Sequence, residues 1–221
     1  MYIQSYRGGI CVSVYDIYDD IAKRTDSNIY IGVIGAVRTG KSTFIKRFMD
    51  SLVLPNIQDE YTRERAKDEL PQSASGKTIM TTEPKFIPNE PVKINLGDNL
   101  NLNVRLIDCV GYVIPGAEGH MSGDEPRMVN TPWSSTPMPF EKAAETGTEK
   151  VIKDHSTIGI VVTTDGSITD IERENYVNAE NRVINELKEL GKPFIVLLNS
   201  VHPYSQETEE LRKNIEDEHG V

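Results

Sequence analysis

One segment of the chain has the residue types and the spacing that bind the phosphates of a nucleotide. Residues 35–42 read GAVRTGKS and match the pattern GxxxxGK[ST] at every fixed position. The glycines let consecutive backbone N–H groups face anionic oxygens, the lysine adds a positive charge near the β- and γ-phosphates, and the serine hydroxyl can bind Mg²⁺. The pattern therefore predicts a nucleoside triphosphate site, and Lys41 is its strongest candidate for a functional residue.

A second motif, built around an acid, is expected to complete the metal site. Residues 106–111 read LIDCVG, an apolar strand pattern that ends in an acid and is followed by a glycine. Asp108 would hold Mg²⁺ together with Ser42, directly or through water, and the N–H of Gly111 could approach the γ-phosphate. The pattern is weak alone, but its order and distance from residues 35–42 make it specific.

The expected contacts to the nucleotide come from the phosphate-binding loop, the residue after it and the glycine of the second motif. They are Gly35, Ala36, Val37, Arg38, Thr39, Gly40, Lys41, Ser42, Thr43 and Gly111. The side chain of Arg38 could lie along the phosphates or point outward, and the sequence leaves both orientations open.

A threonine between the two motifs is expected to sense the γ-phosphate, in a loop that becomes ordered when a triphosphate is bound. The candidates are Thr78, Thr81 and Thr82, which follow a small, polar, glycine-containing segment. Thr81 and Thr82 join Lys41 and Asp108 as candidate catalytic residues. A packing role for the two threonines stays equally open, because threonine is common in strands.

Two departures from the pattern of regulatory GTPases indicate which nucleotide is bound and how fast it is hydrolysed. Those proteins follow the fourth core strand with N-K-x-D, whose aspartate accepts hydrogen bonds from guanine, whereas residues 199–202 read NSVH. A site that cannot satisfy the donors of guanine loses its preference for that base, which favours ATP. Tyr112 stands where a water-orienting glutamine is common. Hydrolysis is therefore expected to be slow, or to be completed by the segment that follows or by a neighbouring subunit.

Alternating strand and helix patterns surround the two motifs. Apolar and β-branched runs predict strands at 29–34, 92–96, 102–108, 157–163 and 193–199. Apolar residues at helical spacing predict helices at 44–52, 140–153 and 169–190, and a last helix from Ser205. The expected fold is an α/β sandwich of three layers, with a mostly parallel sheet, an antiparallel edge hairpin, and the ligand at the carboxyl ends of the strands.

Several other segments carry weaker signals. Residues 1–14 are interpreted as a leader of uncertain status, and 15–22 as a short helix. The mixed charges of 59–69 indicate a solvated helical face. Residues 111–139 predict a long irregular insertion, which is usually functional or mobile. Residues 165–167, Asp-Gly-Ser, are interpreted as a turn that could lie near the nucleotide.

Two local signals mark the boundaries of the helix predicted at 169–190. Thr169 and Glu172 have the spacing of a capping box, and Gly191 is a stop signal. Residues 15–221 are expected to form one P-loop domain. Such domains usually add another strand and helix after the fourth core strand, so this one is expected to be truncated at its C-terminal end.

The overall composition argues against several classes of protein. With 24 basic and 34 acidic residues the net charge is −10, which disfavours a nucleic acid partner. Cys11 and Cys109 suggest neither a disulfide framework nor a metal cluster, and the four histidines lack ligand spacing. The sequence has no apolar run long enough to cross a membrane and no secretory signal layout. A reducing cytoplasm is the expected location.

Six strings of the sequence resemble the N-terminal ATPase domain of the stage IV sporulation protein A family, the spore-coat morphogenetic ATPases of endospore-forming bacteria. They are GAVRTGKSTFIKRFM, DELPQSASGKTIMTTEPKFIPNE, RLIDCVGYVIPGAEG, PRMVNTPW, HSTIGIVVTTDGSITDI and GKPFIVLLNSVHPY. The resemblance extends from about Tyr15 to the end of the sequence. It implies a P-loop NTPase fold similar to that of the TRAFAC GTPases.

The resemblance also implies an activity and partners. The family binds and hydrolyses ATP, not GTP, and polymerises irreversibly into the basement layer of the spore coat, around the forespore in the mother-cell cytoplasm. Its functional lysine, acid and threonine pair match Lys41, Asp108, Thr81 and Thr82. The implied partners are further copies of the chain, spore coat proteins and a small amphipathic membrane peptide.

Two departures limit what the resemblance implies for this chain. Residues 1–14 have no counterpart, and the middle and C-terminal domains of the family fall outside the sequence, so contacts with the membrane and the coat are expected through regions absent here. The expected function is slow, Mg²⁺-dependent ATP hydrolysis coupled to polymerisation. Two alternatives stay open, a GTP-dependent switch and a structural module with a non-hydrolysed nucleotide.

Overall fold

The fold is described from a computed structural model for residues 28–71, 83–95 and 101–221. Several predicted features lie outside the described residues: the leader 1–14, the helix 15–22, Thr78, Thr81 and Thr82. The predictions for them stay predictions.

The described residues form nine strands and five α-helices. The strands are β1 (Asn28–Ile34), β2 (Lys85–Asn95), β3 (Asn101–Asp108), β4 (Met121–Ser122), β5 (Glu125–Pro126), β6 (Met128–Thr131), β7 (Ser134–Pro139), β8 (Ile158–Thr164) and β9 (Phe194–Asn199). The helices are α1 (Lys41–Phe48), α2 (Glu60–Asp68), α3 (Phe140–Lys150), α4 (Glu174–Glu189) and α5 (Gln206–His219), with π-helical turns Met49–Val53 and Val151–His155 after α1 and α3. None of these helices combines the length and the apolar character that a membrane crossing needs.

Five strands form the central sheet in the order β2-β3-β1-β8-β9. The last four run parallel, whereas β2 lies at the edge and pairs antiparallel with β3. Val33 near the end of β1 lies opposite Asp108 at the end of β3. The two sequence motifs therefore meet at one edge of the sheet, and the predicted α/β architecture with its edge hairpin is confirmed.

Helices cover both faces of the sheet, so the domain has three layers. On one face, Ile45 of α1 lies in a buried apolar cluster with Leu106 of β3. On the other face, Val183 of α4 and Ile152 after α3 lie in a second cluster with Ile107. Leu106 and Ile107 belong to different clusters because successive side chains of a strand point to opposite faces.

The segment 111–139 is not the irregular insertion that we expected. It contains two small antiparallel hairpins, β4–β5 and β6–β7. Arg127 ties them to the domain, since its Nη1 donates to the carbonyl of Gly119 at 2.8 Å and its guanidinium lies 4.7 Å from the ring centroid of Phe140. Prolines in β5 and β7 obscured the strand pattern, because proline is unusual inside paired strands.

The predicted start of α4 is wrong, whereas its predicted end is confirmed. The helix begins at Glu174, so Thr169 and Glu172 do not form its capping box. The Thr169 hydroxyl instead accepts a hydrogen bond within a local turn. Gly191 follows the helix in a left-handed conformation with φ 62°, and Ser205 caps α5 as predicted.

The strand predicted at 193–199 is confirmed, but it does not lie in the middle of the sheet. It forms β9, which is an edge strand among the described residues. Most of its side chains are half-buried, and Ile195 is 59% exposed. The apolar run correctly predicted a strand, but its burial depends on neighbours that sequence periodicity cannot identify.

Candidate active site

The phosphate-binding loop connects β1 to α1 at the carboxyl edge of the sheet. Gly35 directly follows β1, and α1 begins at Lys41. A Cβ atom at Gly35 would lie 2.2 Å from the carbonyl oxygen of Val162, so the loop starts where only glycine fits. Strand, loop and helix therefore occur in the order that the motif requires.

Arg38 has an unusual backbone conformation within this loop. Its φ is 62°, and it is the only residue other than glycine with positive φ in the described ranges. Such a conformation costs free energy for a residue with a Cβ atom, and it persists only where the surrounding structure enforces it. The tight curl of the loop thus requires a strained backbone at Arg38, which the sequence alone did not predict.

Lys41 is almost completely buried inside the loop, at 6% exposure. Its Nζ donates a hydrogen bond of 2.5 Å to the carbonyl of Ala36. Burial lowers the pKa of the Lys41 ammonium group, and the nearby Cys109 and Asp108 oppose that shift. A buried ammonium group is stabilised by a bound anion, which is the role that a triphosphate would fill.

Ser42 and Asp108 form a direct link between the two motifs. The Ser42 hydroxyl donates a 2.7 Å hydrogen bond to Oδ2 of Asp108. Oδ1 of the same carboxylate is buried and has no hydrogen-bond partner. Burial raises the pKa of Asp108, while the hydrogen bond from Ser42 and the charges of Lys41 and Lys85 oppose this rise.

These oxygen atoms fit a divalent cation. A hydroxyl and a carboxylate lie side by side, and one carboxylate oxygen has an unsatisfied acceptor position. Mg²⁺ is bound by oxygen ligands and in phosphate sites takes one or two protein groups together with the phosphates. The residues present therefore fit Mg²⁺, which Ser42 and Asp108 would hold.

The backbone after Asp108 crosses directly over the phosphate-binding loop. A Cβ atom at Gly111 would lie 2.1 Å from the carbonyl oxygen of Gly35 and 2.6 Å from Nζ of Lys41. The next residue, Tyr112, accepts from the Val37 N–H at 2.9 Å. Gly111 thus allows a close approach of the two motifs that a residue with a Cβ atom would not permit, whereas the predicted approach of its N–H to the γ-phosphate stays a prediction.

Tyr112 turns its side chain away from the phosphate-binding loop. The side chain is 3% exposed, and its hydroxyl donates to Oε2 of Glu186 on α4 at 2.7 Å. The guanidinium of Arg182 lies 4.2 Å from the ring centroid. Burial, followed by the hydrogen bond and charge of Glu186, raises the pKa of Tyr112. Tyr112 therefore cannot orient an attacking water with its hydroxyl in this arrangement.

Asn199 supports the loop from the end of β9. Its Nδ2 donates a 3.0 Å hydrogen bond to the carbonyl of Thr39. The sequence analysis singled out residues 199–202 because they lack the lysine and the acid that recognise guanine, but it did not predict this contact. The asparagine could have indicated it. Asn199 keeps the first residue of N-K-x-D, and its side-chain amide can donate to a loop carbonyl even though the lysine and the acid are missing.

Asp165 lies beside the segment after β9, and both of its carboxylate oxygens accept hydrogen bonds. Its Oδ1 accepts from the N–H and the hydroxyl of Ser167 at 2.9 and 2.6 Å, and its Oδ2 accepts from Thr208 at 3.4 Å. The Ser167 hydroxyl also accepts from the N–H of Val201. Burial would raise the pKa of Asp165, but these hydrogen bonds, together with one from Ser200, leave it lowered. Residues 165–167 thus contact the segment after β9, and their expected place near the nucleotide stays a prediction.

The structure brings together most of the predicted site residues. Lys41, Ser42, Asp108 and Gly111 meet at the carboxyl edge of the sheet. Thr43 lies exposed in the first turn of α1. The threonine candidates fall between the described ranges 28–71 and 83–95, so their predicted role stays a prediction.

Comparison with known proteins gives one family and several close relatives. Residues 12–221 match the model of the family described as stage IV sporulation protein A, ATPase domain. Over 206 residues the chain is 60% identical to stage IV sporulation protein A of Bacillus subtilis (strain 168) and 59% identical to that of Bacillus anthracis. It is also 60% identical to the protein of the same name from Clostridioides difficile (strain 630). Each match covers 93% of this chain and 42% of the relative.

Proposed function

The chain belongs to the stage IV sporulation protein A family, within its ATPase domain, and from this premise we propose that it hydrolyses Mg²⁺-bound ATP to drive assembly. One observation carries the nucleotide part of the proposal. The 2.7 Å hydrogen bond from Ser42 to Asp108 joins the two motifs beside the buried Lys41. Side chains that would bind phosphate and metal are thus next to each other.

The residues of the chain divide the work of the site. Lys41 and the N–H groups of the loop bind and orient the β- and γ-phosphates. Ser42 and Asp108 hold the metal ion, which neutralises charge on the phosphates when Mg²⁺ and ATP are bound. Gly111 places its N–H near the γ-phosphate. Thr81 or Thr82 couples the γ-phosphate to a conformational change.

Three side chains support ATP over GTP. His202 occupies the place of the acid that would accept hydrogen bonds from guanine. Asp165, the carboxylate beside this segment, already accepts hydrogen bonds from Ser167 and Thr208. Asn199 donates to the phosphate-binding loop. Guanine would therefore leave donors unsatisfied, which costs binding free energy.

The assembly part of the proposal rests on the relatives, whose printed name is stage IV sporulation protein A. We propose that ATP hydrolysis converts the subunit into a form that polymerises into the basement layer of the spore coat, at the forespore surface in the mother-cell cytoplasm. Coat proteins and a small amphipathic membrane peptide would bind through regions outside this chain. The burial of Tyr112 is consistent with slow turnover.

Phosphate release with ATP or GTP tests the catalytic proposal. The wild type is expected to prefer ATP by at least about tenfold, since one unsatisfied hydrogen-bonding group has about that effect. Lys41→Ala should abolish turnover, whereas Lys46→Ala, an exposed lysine on the same helix, should not. A preference for GTP contradicts the proposal. Tight ATP binding without turnover supports a structural role for the nucleotide instead.

Light scattering tests the assembly proposal separately. The full-length protein is incubated with Mg²⁺ and either ATP or a non-hydrolysable analogue. Polymer is expected with ATP, and much less with the analogue. Equal amounts of polymer with both nucleotides would show that hydrolysis does not drive assembly.

A further inference from the structure

A second lysine lies near Ser42 and Asp108, the residues that would hold the metal ion. Lys85 is the first residue of β2 and lies directly opposite Asp108 in the antiparallel pair of β2 and β3. Because the two strands run in opposite directions, the start of β2 and the end of β3 share one edge of the sheet. This is the edge at which the phosphate-binding loop lies.

The register also determines the face of the sheet on which Lys85 lies. Residues directly opposite each other in an antiparallel pair point to the same face, with Cβ atoms about 4.5–5.5 Å apart. Two residues further along β2, Ile87 pairs with Leu106, and both lie in the cluster on the α1 face. Lys85 alternates in phase with Ile87, so it shares the α1 face with Asp108 and Ser42.

The neighbouring pair provides an internal check on this assignment. Phe86 pairs with Ile107, and both pack in or against the cluster on the opposite face. The alternation is therefore regular over the first three residues of β2. The irregularity in the pairing of the two strands comes later, between Ile87 and Val92.

The ammonium group of Lys85 is available to a ligand. The residue is exposed and forms no ion pair within the described ranges. Its positive charge acts on Asp108 together with that of Lys41. A lysine carries a compact charge on a flexible stem and binds phosphate readily. Lys85 thus presents a mobile cation next to the carboxylate that would hold the metal.

The chemistry of the site calls for such a group. Negative charge spreads over the oxygens of the γ-phosphoryl group in the transition state, and hydrolysis depends on positive groups that stabilise it. Tyr112, at the position of a water-orienting residue, binds Glu186 on α4 instead. A positive group on the β2 side of the site would stabilise the transition state where Tyr112 cannot contribute.

We propose that Lys85 is a further catalytic residue, whose ammonium group contacts the terminal phosphate of bound ATP from the β2 side. This inference rests on the proposed function, since it requires a nucleoside triphosphate in the loop. It predicts that Lys85 distinguishes a triphosphate from a diphosphate. Lys41, in contrast, is needed for both because it lies inside the loop.

Calorimetric titration with Mg²⁺ and either ADP or a non-hydrolysable ATP analogue tests the contact without any turnover. Lys85→Met should weaken binding of the analogue about tenfold and leave ADP binding within about twofold, the scale of one hydrogen bond to a charged group. Lys85→Arg should recover most of the loss. Lys93→Met is the matched control, because Lys93 is exposed on the same strand opposite Asn103, five residues along β3 from Asp108.

The same variants are then compared in ATP turnover. Lys85→Met should lower kcat at least about tenfold, as expected for removal of one group that stabilises transition-state charge. Equal losses of analogue and ADP binding, or no change in either, would overturn the proposal. If the wild type binds the analogue but does not hydrolyse ATP, the proposed function fails. The loss of analogue affinity relative to the loss of ADP affinity in Lys85→Met then still shows whether Lys85 contacts the terminal phosphate. Failure of the wild type to bind the analogue overturns both.

Discussion

The hydroxyl of Ser42 donates a 2.7 Å hydrogen bond to Oδ2 of Asp108, although 66 positions separate the two residues. The contact joins the first turn of α1 to the last residue of β3. Oδ1 of the same carboxylate is buried without a partner. The pair therefore presents oxygen atoms that fit a divalent cation.

Replacing Asp108 with asparagine should reduce ATP hydrolysis at least about a hundredfold, because a neutral amide binds Mg²⁺ poorly and the metal stabilises charge in the transition state. The Mg²⁺ concentration for half-maximal activity should also rise. Phosphate release measured across a Mg²⁺ titration checks both effects. Asp68→Asn, at an exposed position on α2, is the control. An unchanged Mg²⁺ dependence would remove Asp108 from the metal site.

Replacing Gly111 with alanine should disrupt the crossing of the two motifs. Its φ is 90°, and the added Cβ atom would lie 2.1 Å from the carbonyl oxygen of Gly35. We expect a loss of at least about 2 kcal/mol in the free energy of unfolding and loss of ATP turnover.

Gly123→Ala is the matched control for this substitution. Gly123 also has positive φ, 64°, but its Cβ atom would meet nothing within 4 Å. Only backbone strain of about 1 kcal/mol is expected there. Urea denaturation measures both variants, and equal destabilisation would show that the close approach at Gly111 is unimportant.

Removing the hydroxyl of Tyr112 should affect stability more than catalysis. Tyr112→Phe loses the hydrogen bond to Glu186, which should cost about 1–2 kcal/mol of unfolding free energy. ATP turnover should stay within about threefold, since the hydroxyl faces α4 and a change in activation free energy below 1 kcal/mol is expected. Denaturation and phosphate-release measurements on the same preparation check this. A collapse of turnover with normal stability would place the hydroxyl in the reaction.

The thiol of Cys109 should be unreactive in the folded protein. Burial raises its pKa to about 11, although the charge of Lys41 acts in the opposite direction. Because only the thiolate reacts with alkylating reagents, labelling near pH 8 should be at least about a hundredfold slower than in urea, where the pKa returns to about 8.5. The folded-state rate should rise with pH up to the raised pKa. Mass spectrometry of the peptide containing Cys109 separates this signal from Cys11, and rapid labelling at pH 8 would contradict the burial of the thiol.

Features that depend on local chemistry could be predicted from the sequence. Glycines at fixed spacing, followed by Lys41 and Ser42, predict a curled loop whose backbone N–H groups can face phosphate, and a loop with this curl lies between β1 and α1. Runs of β-branched residues likewise predicted the parallel strands, because a strand buried on both faces needs such a run. The hairpins within 111–139 escaped prediction, since their prolines and short lengths resemble irregular structure. The start of α4 was also misjudged, because the spacing of Thr169 and Glu172 is compatible with a local turn.

By itself, the sequence therefore determined the α/β fold and the meeting of its two motifs at one edge of the sheet, and it predicts that this edge binds phosphates and a metal. The tertiary structure decided which way the side chains around that edge face. Tyr112 binds a glutamate 74 positions away, and Asn199 binds a carbonyl 160 positions away. Lys85 lies beside Asp108 only because of the register of two antiparallel strands. Such contacts depend on the packing of distant segments, which no local pattern of residues encodes.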